Sequence, residues 1–286
     1  MLSQVRQIIA IYCFCDDFLQ SRGHTEAPQA KLTTAEVMTI ALVAGTLFGG
    51  NQGRCGNFFA EHGYIKARVS KGQFNRRLHP VPEVLWQGVF DLLANVHKDA
   101  NETQHYAVDS LPVAVCDNIR ISRSHLYPRR RWGEAFRGFI ASKKRYFYGL
   151  HFYGLHVHLV MTTSGLPVEV MLAPGADADI CAFRRLHLDL PSGAHIFADA
   201  AYLDQHEEAL LAEADLRLVV PRRKSSKAPL PPCVNYFARH KRKRIETVFI
   251  QIVSALGRKV HAVTPRGFEM KTFLTVRPFL QCWLIL

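Results

Sequence analysis

The chain has 286 residues, 48% hydrophobic and 21% charged, with 18 Gly and 14 Pro. That composition excludes a disordered or fibrous protein and leaves room for one or two globular domains. Its 36 Lys and Arg against 24 Asp and Glu give a formal charge of +12, a positive field that suits a polyanion and that a small neutral metabolite would not need.

Cys13, Cys15, Cys55, Cys116, Cys181, Cys233 and Cys282 include no C-x-x-C pair. Neither a disulfide framework nor a zinc ribbon is expected, and the thiols read as reduced. The apolar run 8–15 ends in Asp16-Asp17 and lacks a small-residue cleavage site. No run reaches the ~18 to 20 apolar residues of a membrane span, so a cytoplasmic protein with no membrane partner is expected.

Residues 1–100 read mainly as helix. Thr33-x-x-Glu36 is a capping box that opens the periodic run 37–48, closed by Gly49-Gly50. A short helix follows over 55–62. Ser70-x-x-Gln73 is a second box, starting a helix with Arg76 and Arg77 on its surface. Pro82 then opens a longer helix carrying Val84, Leu85, Val89, Leu92 and Leu93. Three short helices and a longer one suit a helix-turn-helix-like DNA reader and a plain helical bundle equally.

From residue 103 strands alternate with helices. The predicted order is a strand at 106–109, a strand at 146–162, a turn at Gly165-Leu166-Pro167, a strand at 168–172 and a helix at 178–188. A strand at 195–199, a helix at 204–214 opened by Asp204-x-x-Glu207, a strand at 216–220 and a helix at 236–256 complete it. Adjacent strands followed by a βαβ alternation make a mixed α/β sheet flanked by helices.

Asp109 and Asp199 each end a short apolar strand, where side chains converge on one sheet edge. In the last helix Phe249, Ile250, Val253 and Leu256 form an expected apolar stripe, with Glu246 at its edge. Three carboxylates meeting there would hold two Mg²⁺ ions, Mn²⁺ being a substitute. Two such ions roughly 3.5 to 4 Å apart activate a water or hydroxyl and stabilise the leaving oxygen of a phosphodiester. A single Asp at a strand end is by itself more often a cap, but the basic residues shift the balance. Residues 120–145 hold nine Arg or Lys and one acid, and residues 216–245 hold ten and none, as a phosphate track beside a metal site requires. The candidate DNA contacts are Arg76, Arg77, Arg120, Arg129, Arg130, Arg131, Lys143, Lys144, Arg145, Arg222, Arg223, Lys224, Arg239 and Arg242. His151, His156, His158, His187 and His195 invite a metal reading, but lone strand histidines are usually packed or solvated.

Several phrases carry a family likeness. They are Val-Asp109-Ser-Leu-Pro-Val-Ala-Val-Cys-Asp-Asn-Ile-Arg120, Phe136-Arg-Gly-Phe-Ile-Ala-Ser-Lys-Lys-Arg-Tyr-Phe-Tyr-Gly149, Pro229-Leu-Pro-Pro232 and Arg244-Ile-Glu246-Thr247, with Leu32-Thr-Thr-Ala-Glu36, Phe48-Gly-Gly-Asn51 and Phe74-Asn-Arg-Arg-Leu-His79 in the N-terminal half. With these the chain resembles bacterial insertion-sequence transposases of the DDE type, in particular insertion-sequence family 982, over nearly its whole length. The resemblance implies a ribonuclease H-like catalytic domain over 101–286, preceded by a helical DNA-contacting module over 1–100. It implies two Mg²⁺ ions held by Asp109, Asp199 and Glu246, terminal inverted repeats and target DNA as partners, and a dimer on nucleoid-associated DNA. In the family signature around the third acid, Arg242 and Glu246 match, while Arg239 stands for a Tyr and Val253 for a Lys. Glu269 is a rival third acid without that spacing.

The implied reaction is a hydrolytic nick followed by in-line attack of the freed 3′-hydroxyl on target DNA, without a covalent enzyme intermediate. A metal-dependent nuclease of the same fold and a catalytically dead DNA-binding remnant remain alternatives. Phe147-Tyr-Gly-Leu-His151 is repeated at once as Phe152-Tyr-Gly-Leu-His156. Either a bulge or loop absorbs the five extra residues or the copy is defective. Pro278 interrupts the last helical pattern, so the final residues read equally as an apolar helix end and as a frameshifted tail.

Overall fold

Two capping boxes set the helix starts in the first part of the chain. The Glu36 N–H donates to Thr33 Oγ1 at 3.1 Å, and the Thr33 N–H returns to Glu36 Oε2 at 2.7 Å. Ser70 and Gln73 make the same reciprocal pair at 3.3 and 2.9 Å. The two boxes open α2 (Thr34–Leu47) and α4 (Lys71–Leu78), which are joined by α1 (Leu2–Ser21), α3 (Gln52–Glu61) and α5 (Glu83–Asp99). A computed structural model describes residues 2–116, 118–132, 134–139, 151–222, 229–256 and 260–276. The first copy of the duplicated phrase, except His151, and the tail from residue 277 lie outside the described residues.

The chain divides into two compact units, one comprising the residues up to Leu93, Gln251–Ala262 and the segment from Arg266, the other Ala94–Ile250 with Val263–Pro265. In the first unit α2 is buried on every side from Val37 to Ala44, as a helix apolar all round must be. Ile8, Ile11, Cys15, Phe18 and Leu19 of α1 join the same core. On α5 the expected apolar set divides. Val89 and Leu93 are buried, but Val84 and Leu92 are 72% and 44% exposed, because Trp86 and Phe90 take the inward positions one helical step round.

The second unit is built on a six-stranded sheet. Its strands are β1 (His105–Ala114), β2 (Arg137–Phe139), β3 (His151–Thr162), β4 (Pro167–Pro174), β5 (His195–Phe197) and β6 (Arg217–Val219). They run in the order β2-β3-β1-β5-β6, with β4 also paired to β3. β1, β3 and β4 are antiparallel neighbours, and β5 and β6 continue the sheet parallel to β1. With helices α6 (Arg129–Trp132), α7 (Asp179–Phe183), α8 (Gln205–Glu213) and α9 (Pro232–Leu256), this is a mixed sheet flanked by helices, the α/β class expected. Helix α10 (Pro265–Val276) follows.

The second copy of the repeat fits the strand without a slip, β1 and β3 pairing continuously from Ala114↔Gly154 to Tyr106↔Thr162. Gly154 is needed there, because a Cβ would lie 2.0 Å from the Val113 carbonyl oxygen.

Several expected boundaries change. The strand expected at 106–109 runs from His105 to Ala114, so Asp109 lies inside it rather than at its end. The helix at 178–188 shrinks to α7 because Leu186, Leu188 and Leu190 all pack on the core, a period of two that only extended chain satisfies. The strand at 195–199 ends at Phe197, and Asp199 becomes the N-cap of a 3₁₀ turn at Ala200–Tyr202. Helix α9 starts earlier and its buried stripe is Ala238, Ile245, Val248 and Ile252. Ile250 and Val253 of the expected stripe are 68% and 49% exposed. Alanine at 238 packs with Phe197 and Val219, which sets the helix rotation about one residue away from the one expected.

Candidate active site

β1 carries two faces. Tyr106 and Val108 belong to the core that contains Phe183 and Tyr202, while His105 stacks edge-on to Phe197 and to Phe237 of α9, with centroids 5.5 and 5.6 Å away. Asp109 shares the His105 face by alternation and meets α9 there, the Arg242 guanidinium donating to Asp109 Oδ2 at 2.7 Å. The Ser110 N–H donates to Oδ1 at 2.8 Å.

The parallel register brings the second acid alongside. Ala107 pairs with Phe197, so Asp109 and Asp199 each lie two residues past the last β1–β5 pair, Asp109 inside β1, which runs on to Ala114, and Asp199 just beyond the end of β5. Asp199 Oδ1 accepts from the Ala201 N–H at 2.8 Å, fixing its backbone. Burial pushes the Asp109 carboxyl above its ordinary range and the Asp199 charge adds to that, while Arg242 and the Ser110 N–H pull it down. The buried Tyr202 phenol is raised first by burial and then by Asp179, Asp109 and Asp199, and stays protonated.

Glu246 is exposed on α9, one turn past Arg242. The structure thus brings together Asp109, Asp199 and Arg242, and sets Arg242 rather than Glu246 against Asp109. The donor chemistry fits a hard divalent cation, since two carboxylates stand at equivalent positions on neighbouring strands.

The candidate DNA contacts separate into committed and displayed side chains. Arg77 bonds Glu26 at 3.2 Å and the Leu32 carbonyl at 2.9 Å, and Arg222 is bidentate on Glu208 at 2.6 and 2.8 Å. Arg76, Arg130, Arg131 and Arg239 are exposed, with Arg131 lying 5.3 Å over the Trp132 ring. Arg120 falls in a 3₁₀ helix, Asn118–Arg123, and Arg129 opens α6. Lys143, Lys144, Arg145, Arg223 and Lys224 lie outside the described residues.

A second group of ligand type lies elsewhere in the sheet unit. His156, His158 and Asp179 each place one donor atom within 4.8 Å of the others. Burial depresses both imidazoles, that of His158 to about 4. The H-x-H alternation on β3 was visible in the sequence. Asp179 was not, since only the packing of α7 brings it beside the strand.

Residues 99–261 match a family model described as "Transposase DDE domain". No curated protein matches the chain. Among solved structures, a cryo-EM structure of a piggyBac transposase synaptic complex with hairpin DNA is similar at 11% identity and a TM-score of 0.45, over 98% of this chain and 73% of that one. Among the described residues no helix is long and apolar enough to cross a membrane.

Proposed function

The chain belongs to the DDE transposase domain family, and from that premise we propose that it binds the inverted-repeat ends of an insertion sequence and catalyses Mg²⁺-dependent strand cleavage and strand transfer. Asp109, Asp199 and Glu246 are the acids of this reading. The observation that supports it best is the parallel β1–β5 register, which carries Asp109 and Asp199 to equivalent positions two residues past its last pair. Insertion-sequence family 982, a bacterial host, a dimer on DNA and a cytoplasmic, nucleoid-associated location belong to the same proposal. So does a division of labour between a helical DNA-contacting module at 1–100 and the catalytic domain at 101–286.

Asp109 and Asp199 would hold the divalent ions, with Glu246 as the third acid. Ions bound there supply activation of the attacking oxygen and stabilisation of the leaving one. The chain's own groups do the positioning. Arg242 orients Asp109 through its 2.7 Å bond and keeps a positive charge beside the scissile phosphate. The Ser110 and Ala201 N–H groups lock the two carboxylates at one oxygen each. Burial first, and then the charges of Asp179, Asp109 and Asp199, keep the Tyr202 phenol protonated, so it takes up no proton near the site.

Labelled inverted-repeat DNA tests the proposal. Cleavage with Mg²⁺ falls roughly a hundredfold or more in Asp109→Asn, Asp199→Asn and Glu246→Gln, since each removes an interaction worth several kcal/mol in the transition state. A variant cleaving at near the parent rate removes its residue from the site. Cutting without joining identifies a nuclease, and binding without cutting a remnant.

A further inference from the structure

We propose that His156, His158 and Asp179 form a transition-metal site of the Zn²⁺ class, separate from the Asp109–Asp199 edge, that fastens α7 to the sheet. The two histidines are i and i+2 on β3 and therefore share a face. Their register partners on β1 are Pro112 and Ser110, so the pair occupies the face that alternates with that of Asp109. Asp179 comes from the first position of α7, and the donor atoms of all three lie within 4.8 Å.

The second observation is the unmet polar atoms of His158 and Asp179. His158 is fully buried, and among the described residues neither Nδ1 nor Nε2 has a hydrogen-bond partner. A neutral imidazole always carries one N–H and one lone pair, and leaving both unmet in a dry interior is costly. Asp179 Oδ1 is also buried without a hydrogen bond, 4.0 Å from His156 Nδ1. The His156 and His158 rings stand edge-on at 75° with centroids 5.9 Å apart. A tetrahedral ion holds its donors about 3.3 Å apart, which modest side-chain rotations reach from 4.8 Å. Two imidazoles with one carboxylate are a borderline donor set that suits Zn²⁺ or Co²⁺ better than Mg²⁺. Asp177 adds negative charge around the group, and Arg185, bonded to Asp177, is the cation that faces it. Three protein ligands leave one position for solvent.

The full-length chain, stripped with chelator, is titrated with Co²⁺ and followed by visible absorption, then competed with Zn²⁺ and checked by equilibrium dialysis. The proposal expects one equivalent with a tetrahedral spectrum, weakened at least about tenfold in Asp179→Asn and His156→Gln and retained in the Asp109→Asn/Asp199→Asn double variant. Far-UV circular dichroism confirms folding. His158→Gln is a third variant, and if it fails to fold the other two decide. No stoichiometric uptake by the folded parent, uptake indifferent to Asp179→Asn and His156→Gln, or loss in the Asp109/Asp199 double variant overturns the site. Because the readout is metal uptake and not DNA cleavage, failure here is distinguishable from failure of the transposase reading.

Discussion

Around Asp109 burial wins over attraction. The carboxylate has a guanidinium at 2.7 Å and a backbone N–H at 2.8 Å, yet its affinity for a proton is raised, because taking a charge out of water costs more than one partner returns. The same physics acts at His97, where no metal chemistry intervenes. His97 is buried, and its Nδ1–H donates to the Pro167 carbonyl at 2.7 Å. Burial lowers its pKa from the ordinary 6.5, against the opposing effect of that bond. A depressed histidine pKa means that its contribution to stability is complete above about pH 6.5 and is lost as pH falls through the lowered value. Urea unfolding at pH 7.5 and at successively lower pH should show a steeper acid loss in the parent than in His97→Gln. Parallel curves would mean that His97 does not titrate differently on folding.

At the scale of elements, β1 and β3 pair along the length of the sheet unit, and Gly154 of β3 sits hard against the β1 backbone. A methyl group there meets the Val113 carbonyl oxygen at 2.0 Å and the Ala114 Cα at 3.0 Å. Backbone on both sides cannot swing away like a flexible side chain, so the strands must part. Gly154→Ala should cost about 2 to 4 kcal/mol, read as a lower urea midpoint, whereas Gly56→Ala, with nothing within 4 Å of its added carbon, should be neutral or slightly stabilising on a helix. Equal effects would show that β1 and β3 yield. Helices were legible to different degrees for a related reason. Thr33–Glu36 and Ser70–Gln73 mark their own starts locally. The rotation of α9 depends on Ala238 meeting Phe197 and Val219, partners that no window along the sequence contains.

Across the whole molecule, the charge of +12 is not all offered to a ligand. Arg77 and Arg222 are spent on Glu26 and Glu208, and Arg242 on Asp109. Arg130, Arg131 and Arg239 stand exposed. If the exposed set tracks phosphates, alanine at each of these three weakens binding about equally for all DNA sequences and lowers the salt slope by about one. Arg222→Ala should instead leave the slope unchanged and lower thermal stability. Filter binding from low to moderate salt separates the two classes, and a slope indifferent to Arg130, Arg131 and Arg239 removes them from the track.

What the sequence determined by itself is what short-range chemistry encodes: the capping boxes, the alternation of strands and helices, the excess of basic residues, and the apolar runs that lead up to Asp109 and Asp199. Each depends on residues a few positions apart, where backbone geometry dictates the outcome. Only the tertiary structure decided that the β1–β5 register aligns the two aspartates, that Arg242 reaches Asp109 across 133 positions, and that Asp179 joins His156 and His158. Those contacts are selected by how buried faces fit one another, and packing of that kind has no period to read along a chain.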